Sequence, residues 1–174
     1  GYNNGNSCTD SGAAYVFTRT GSSWAAQAFL KGGNAVAYDY FGHTVALSGD
    51  TIAVGAPYED SCSTSVVNGA SGYSNSNSCS NAGAVYVYTR TGSSWAAQAY
   101  LKAANAGASD YFGYWKGVAV SGDTIAVGAY TEDGCGTSVI NCATGYDNSN
   151  SCTDVGAVYV FTRSGSSWSP QALS

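Results

Sequence analysis

The hydrophobic positions of this chain fall in short segments of strongly β-forming residues separated by Gly-rich turns. Three related segments alternate Val or Ala with Tyr or Phe and run into an Arg-(Thr/Ser)-Gly-Ser turn: 13–19, 85–90 and 157–163. A second strand follows each turn, beginning near Trp24, Trp95 and Trp168. Alternating apolar residues on both sides of a tight turn predict an antiparallel hairpin at each place.

A different hairpin lies between these aromatic ones. Its first strand is predicted over 41–48 and again over 112–121, and its return strand over 51–56 and 124–129. A Gly-Asp pair supplies the turn in both copies. Helical periodicity never extends beyond a few residues, so the sequence predicts an all-β protein with two hairpins per unit.

The same sequence pattern repeats about two and a half times along the chain. Trp24 and Trp95 are 71 residues apart, and Trp95 and Trp168 are 73 residues apart. Self-similarity at a fixed period indicates a repeat architecture. A residue that recurs in every repeat is therefore better explained as a rule of construction than as part of an active site.

Both faces of the aromatic strands are apolar. Val85 and Val87 share one face, and Tyr86 and Tyr88 share the other. A strand of a two-layer sandwich should have one solvent-exposed face, whereas sheets stacked around an axis are covered on both faces. The pattern thus predicts tandem four-stranded antiparallel blades of a β-propeller-like repeat, about two and a half blades in all.

These residues resemble a known repeat. The motif consists of Phe41-Gly42, then Val54-Gly55-Ala56-Pro57, then Gly83 to Tyr88, with a second copy at Phe112-Gly113 and Val127-Gly128-Ala129-Tyr130. It is similar to the FG-GAP repeat of integrin α-subunit propellers and of bacterial surface proteins. The resemblance implies one repeat domain over 1–174, with a half blade at 13–30 and full blades at 40–101 and 111–173.

The chain departs from that family in two places. Many members carry a calcium loop between the first two strands, but here the loop is only Ser48-Gly49-Asp50, or 121–123 in the next copy. It is too short and too poor in carboxylates to cage calcium, so no cofactor is expected. The segment 113–118 is two residues longer than its counterpart. A β-bulge is the expected result, with a local binding feature as the alternative.

Composition narrows the range of partners. Charged residues make up only 10% of the chain, and its net charge is −5. Nucleic acids and anionic membranes attract clustered Lys and Arg, so neither is an expected partner. No apolar run approaches the length of a spanning helix, and membrane insertion is not expected.

The cysteines indicate an oxidising, extracellular setting. Cys62 precedes Cys79 by 17 residues, and Cys135 precedes Cys152 by the same distance at equivalent repeat positions. Matched spacing predicts two disulfides. Cys8 and Cys142 remain, and they pair either with each other or with a neighbouring molecule.

The acidic residues do not indicate an enzyme. Nearly every Asp and Glu has a counterpart one repeat away, as in Asp50 and Asp123. Catalysis normally requires one asymmetric group of residues, and Asp at turns usually bonds the backbone. His43 is replaced by Tyr114 in the next copy, so it too is interpreted as surface variation. The prediction is a non-enzymatic protein.

Two functions remain. In the first, the chain is an extracellular structural or adhesive protein that associates with itself head-to-tail, as a filament or a ring. Its contacts would come from unpartnered blade faces: Tyr15, Phe17, Trp24 and Phe29 at one end, and Val158 and Val160 at the other. An intermolecular Cys8–Cys142 bond would lock the contact.

The alternative is a ligand-binding propeller module, lectin-like or protein-binding, or a fragment of a longer propeller. Three Asn/Ser-rich loops at 1–10, 72–81 and 145–154 would then contact surface glycans or proteins. The candidate contact residues are Tyr2, Tyr73, Tyr146, Asp147 and Asn148. A solvated turn held by a disulfide is the simpler interpretation of the same loops.

Overall fold

The computed structural model describes residues 8–141, 146, 147, 149 and 151–173. Over these residues it contains eleven β-strands and no helix. The strands are β1 (Ala14–Thr20), β2 (Ser23–Leu30), β3 (Thr44–Ser48), β4 (Thr51–Ala56), β5 (Val67–Asn68), β6 (Ala84–Thr91), β7 (Ser94–Leu101), β8 (Val118–Ser121), β9 (Thr124–Ala129), β10 (Ala157–Ser164) and β11 (Ser167–Leu173).

The strands form three antiparallel sheets, which we call the first, second and third blades. The first is the hairpin β1-β2, the second has the order β3-β4-β6-β7-β5, and the third has the order β8-β9-β10-β11. These sheets confirm the predicted all-β, propeller-like blades. The second blade differs from the prediction in one respect, because β5 adds a short fifth strand at the outer edge of β7.

The aromatic hairpins share an irregularity that the sequence pattern does not show. The pairing register shifts between Val16 and Phe17, between Val87 and Tyr88, and between Val160 and Phe161. A bulge at the same point of each hairpin increases the local twist of the strands. It is therefore part of the repeat and not a defect of one copy.

The second blade is covered on both faces. Val85 and Val87 belong to a core that contains Ile125 of the third blade. Tyr86 belongs to another core, which contains Leu30 of the first blade and Phe41. The alternation of Val and Tyr along β6 thus separates two interblade cores, as the two apolar faces predicted.

The backbone crosses closely where successive blades meet. The Phe112 N–H donates to the Ala82 carbonyl at 3.1 Å, and the Phe41 N–H donates to the Ser11 carbonyl at 3.0 Å. Gly83 sits at this crossing with φ 81°. A Cβ on Gly83 would lie 2.5 Å from both the N and the O of Phe112, so only glycine fits.

The segments around the Phe-Gly pairs are turns, not the strand starts that the sequence predicted. β3 begins at Thr44, after a turn in which the His43 N–H bonds the Tyr40 carbonyl at 3.0 Å. The longer segment of the next copy is an additional turn, closed by Gly117 N–H and the Tyr114 carbonyl at 2.9 Å. Gly113 and Gly117 both hydrogen-bond Gly128 of β9, so the extra residues bulge out of the strand pairing, and β8 begins at Val118.

Candidate interaction surfaces

A side-chain hydrogen bond between Trp and Gln joins successive blades, and it occurs twice. The Trp95 indole N–H of the second blade donates to Gln27 Oε1 of the first at 2.7 Å. The Trp168 indole N–H of the third blade donates to Gln98 Oε1 of the second, also at 2.7 Å. The Trp and Gln of each hairpin thus serve opposite interfaces of the same blade.

A second polar contact also repeats between blades. Tyr86 donates its hydroxyl to Asn34 Oδ1 at 2.5 Å, and one repeat later Tyr159 donates to Asn105 Oδ1 at 2.5 Å. Burial raises the pKa of both tyrosines, so their hydroxyls stay neutral and can donate. A buried hydrogen bond of this kind fixes the relative position of two blades as well as stabilising them.

The second blade also contains a buried ion pair. Lys102 Nζ lies 2.9 Å from Glu59 Oε2 and donates to the Gly83 carbonyl at 2.6 Å. Burial lowers the pKa of Lys102, and the Glu59 carboxylate opposes that effect. The Asn34 amide bonds the other Glu59 oxygen at 3.2 Å, so the pair is linked to the interblade contact.

The first blade leaves uncovered the face that the other two blades bury. Tyr15 is 58% exposed, whereas its counterparts Tyr86 and Tyr159 are 1% and 2% exposed. Trp24 is 67% exposed, whereas its counterpart Trp168 is 1% exposed. Phe17 shares this open face, and Phe29 is half-buried and packs edge-on against Tyr15 at 5.2 Å. We call this surface the Trp24 face.

The third blade leaves uncovered the opposite face. Val158 is exposed and Val160 is half-buried, whereas the equivalent Val85 and Val87 are fully buried. Gln171, the counterpart of Gln27 and Gln98, is also exposed. We call this surface the Val158 face. Its residues Val158, Val160 and Gln171 are the counterparts of Val85, Val87 and Gln98, with which the second blade contacts the third.

A separate surface is built from aromatic rings of two repeats, and we call it the aromatic strip. Its members are Tyr40, His43, Tyr58, Tyr111, Tyr114, Trp115 and Tyr130. His43 stacks on Tyr114 with centroids 4.6 Å apart, and Tyr114 stacks on Tyr130 at 5.2 Å. The three rings form one continuous stack across the boundary between the second and third blades.

Tyr58 packs at right angles to this stack. Its ring lies 5.4 Å from Tyr111 and 6.0 Å from Tyr114, with interplanar angles of 80° and 81°. Tyr40 extends the strip, 4.9 Å from Tyr58. A hydrogen bond to Tyr114 raises the pKa of Tyr58. The strip thus carries several phenol hydroxyls beside the His43 ring.

Sequence reasoning missed the strip because it assigned the same residues to surface variation. The exchange of His43 for Tyr114 is interpreted from the sequence as surface variation, and the exchange of Pro57 for Tyr130 carries no interpretation there. The extra residues of 113–118 gave the one usable signal, since they add Trp115 to the surface. The rest required knowledge of how blades pack.

The structure describes three of the five loop residues predicted to contact ligands. Tyr73 is buried, stacks on Tyr100 at 5.1 Å and donates to the Gly69 carbonyl at 2.8 Å. It therefore differs from the expected surface contact and forms part of the core. Tyr146 is half-buried with its ring 6.3 Å from Tyr159.

Asp147 organises its own loop. Its carboxylate accepts the Cys135 N–H at 2.9 Å and the Ser149 N–H at 2.8 Å, and these bonds lower its pKa. Tyr2 and Asn148 lie outside the described residues.

Two cysteine pairs lie at disulfide-bonding distance, and they are the pairs that the spacing predicted. Cys62 bonds Cys79, and Cys135 bonds Cys152, each across 17 residues. Cys8 is exposed and bonds none of the other cysteines that the structure describes. Cys142 lies outside the described residues, so its link to Cys8 stays a prediction.

The repeated acidic residues close turns. Asp50 accepts from Arg90 at 2.6 Å, and the same pair recurs one repeat later between Asp123 and Arg163. Asp39 caps a turn by accepting the Val36 N–H at 2.8 Å. Among the described residues, no three His, Cys, Asp or Glu side chains come together as a metal site. In the same part of the chain, no helix has the length and apolar character of a membrane span.

Comparison with known proteins identifies the repeat. No curated protein sequence matches the chain significantly. The family described as FG-GAP repeat matches residues 24–88 and again residues 95–161, and each match begins at the Trp of an aromatic hairpin. Together the two matches cover most of the chain, and it therefore belongs to the FG-GAP repeat family.

Proposed function

We propose that this chain is an extracellular, non-enzymatic, propeller-type binding module that associates with a second copy of itself through its open blade faces. FG-GAP repeats and two disulfides both fit an extracellular protein, because disulfides persist in oxidising compartments. The Trp24 face of one molecule docks on the Val158 face of the next. The contact is head-to-tail and gives a filament or a ring.

One observation carries the proposal: Tyr15 and Phe17 are exposed on the first blade, whereas their counterparts on the other two blades are buried, and Trp24 is more exposed than the half-buried Trp95 and the buried Trp168. Trp168 is covered by the second blade, whose Gln98 accepts its indole N–H, whereas the equivalent Trp24 is 67% exposed. Exposed apolar patches of this kind mark interaction sites. The interface between the second and third blades shows which kind of surface fits there.

The second copy supplies matching groups. In the docked arrangement Gln171 of one molecule accepts the Trp24 indole N–H of the next, as Gln98 does for Trp168. Val158 and Val160 then cover Tyr15 and Phe17, as Val85 and Val87 pack in one core with Tyr159 and Phe161. The contact would thus repeat an interface that the chain already forms internally.

The test measures mass in solution under oxidising conditions. Light scattering after gel filtration of the wild-type chain should show species larger than the 17.7 kDa monomer. Trp24→Glu should shift them to monomer, because a carboxylate would be buried without a partner. Trp115→Glu is the matched control, since Trp115 is also 67% exposed but lies in the aromatic strip.

The outcomes separate clearly. A wild-type chain that stays at 17.7 kDa at micromolar concentration would refute self-association. Equal effects of Trp24→Glu and Trp115→Glu would show that the Trp24 face is not the interface. Non-reducing electrophoresis tests the Cys8–Cys142 bond. The wild type should give a ladder of covalent oligomers, and Cys8→Ser should lose the ladder while the noncovalent association remains.

A further inference from the structure

We propose that the aromatic strip is a binding site for a neutral carbohydrate chain. The strip is distinct from both blade faces, and the inference does not depend on self-association. It rests on three features of the described residues: a continuous array of half-exposed rings, positive φ at positions that carry three of them, and a set of hydrogen-bonding groups made mostly of phenol hydroxyls.

The first feature is the extent of the exposed aromatic surface. Tyr130 is 56% exposed and Trp115 is 67% exposed, and both contact Tyr114. Tyr40 is exposed at the other end of the strip. Single exposed rings are ordinary on a protein surface, but a contiguous group of them marks a site of interaction.

The second feature is where these rings are attached. Tyr40, Tyr111 and Trp115 all have positive φ, at 53°, 50° and 53°. That backbone region disfavours bulky side chains and is normally occupied by Gly or Asn. Strain of this kind persists at sites of function more often than elsewhere. The aromatic side chains are therefore held at positions where a small residue would be more stable.

The third feature is the chemistry of the surface. Each phenol hydroxyl both donates and accepts, and the Trp115 indole N–H donates. The strip contains no carboxylate, ammonium or guanidinium group. A pyranose chain offers C–H faces that pack on aromatic rings and hydroxyls that donate as well as accept. It matches both parts of the strip.

A proline-rich peptide is the main competitor, because such peptides also dock on aromatic residues. Proline lacks an N–H, so a run of prolines offers acceptors only. The phenol oxygens and His43 would then lose hydration without gaining donors. The balance of donors and acceptors thus favours the polyhydroxyl ligand.

The experiment titrates the full oxidised chain with neutral hexasaccharides by calorimetry. The probes are the hexamers of β-1,4-glucose, β-1,3-glucose, β-1,4-mannose and β-1,4-N-acetylglucosamine, with decaproline as the peptide arm. Short soluble probes bind one site at a time, so changes in self-association do not alter the measured affinity through avidity.

The strip variants are Trp115→Ala and Tyr130→Ala. The control is Tyr38→Ala, which removes an aromatic residue outside the strip that is 58% exposed, close to the 56% of Tyr130. At least one hexasaccharide should bind saturably, and each strip variant should weaken it about tenfold or more, as for an aromatic contact residue. The control should bind as wild type does.

Tyr130→Phe keeps the ring and removes only the hydroxyl, so it should weaken binding less than Tyr130→Ala. Circular dichroism and thermal unfolding verify that each variant is folded. Absence of binding to all four sugars, binding that the strip variants leave unchanged, or binding of decaproline alone would each overturn the inference.

Discussion

The buried pair of Lys102 and Glu59 provides a quantitative test of the structure. Its two side chains are almost fully buried, and the ammonium also bonds the Gly83 carbonyl. Lys102→Met keeps the aliphatic volume but leaves the Glu59 carboxylate buried without its ammonium. Breaking a buried pair in this way costs about 3–5 kcal/mol. That loss is a large share of the about 5–15 kcal/mol that stabilises a typical domain.

Two further variants separate the ion pair from simple packing. Lys102→Met combined with Glu59→Gln removes both charges, and it should recover much of the stability that Lys102→Met loses. Glu132 is the matched control in the third blade. In the described part of the chain its carboxylate bonds the Asn105 amide at 2.6 Å and has no ammonium partner.

Burial raises the pKa of Glu132, so the fold disfavours its charge. Glu132→Gln removes that charge and should change stability by less than about 1 kcal/mol in either direction. The comparison isolates the effect of the lysine, because the two glutamates occupy equivalent positions of successive repeats.

The assay is urea unfolding at pH 7 under oxidising conditions, followed by tryptophan fluorescence at several protein concentrations. Extrapolation to the same association state gives the difference in unfolding free energy. If Lys102→Met lowered the unfolding free energy by less than about 1 kcal/mol, the reasoning would be refuted, because burying a carboxylate without a partner destabilises a fold by more than that. The reasoning would also be refuted if the double variant lost as much unfolding free energy as the two single variants lose together.

Three other predictions test the repeat. Gly83→Ala should abolish folding or lower the unfolding free energy by several kcal/mol, because its Cβ would collide with the Phe112 backbone. Gly92→Ala is the control in the same urea assay. Gly92 is also at positive φ but has open space around it, so its loss should be only about 1 kcal/mol. Cys62→Ser with Cys79→Ser should lower the unfolding free energy by about 3 kcal/mol, and an unchanged midpoint would argue against the disulfide. Burial raises the pKa of Asp39 from 3.8 to about 6. Between these two pH values the folded chain binds a proton that the unfolded chain has lost. The unfolding free energy should therefore fall as the pH rises from about 4 to about 6. Asp39→Asn should flatten that part of the stability–pH curve, and an unaltered slope would contradict the assignment.

The sequence alone was sufficient wherever the governing interactions are local or periodic. Alternation of Val85 and Tyr86 predicted a strand with two apolar faces, and the structure puts these residues in two different interblade cores. Matched spacing predicted both cysteine pairs, because equivalent positions of a repeat have equivalent neighbours. The same rule identified Trp24, Trp95 and Trp168 as equivalent positions of successive hairpins.

Tertiary structure decided the contacts between residues that lie far apart in the chain. The pairing of Val67 with Tyr100 creates β5, and the inward packing of Tyr73 depends on that same neighbourhood. His43 meets Tyr114 across a blade boundary, a contact on which the strand pattern carries no information. Hydrophobic periodicity specifies which face of a strand is buried, but the side chains that meet at a surface depend on the angle and spacing between blades. Those are set by close packing at contacts such as Gly83 against Phe112.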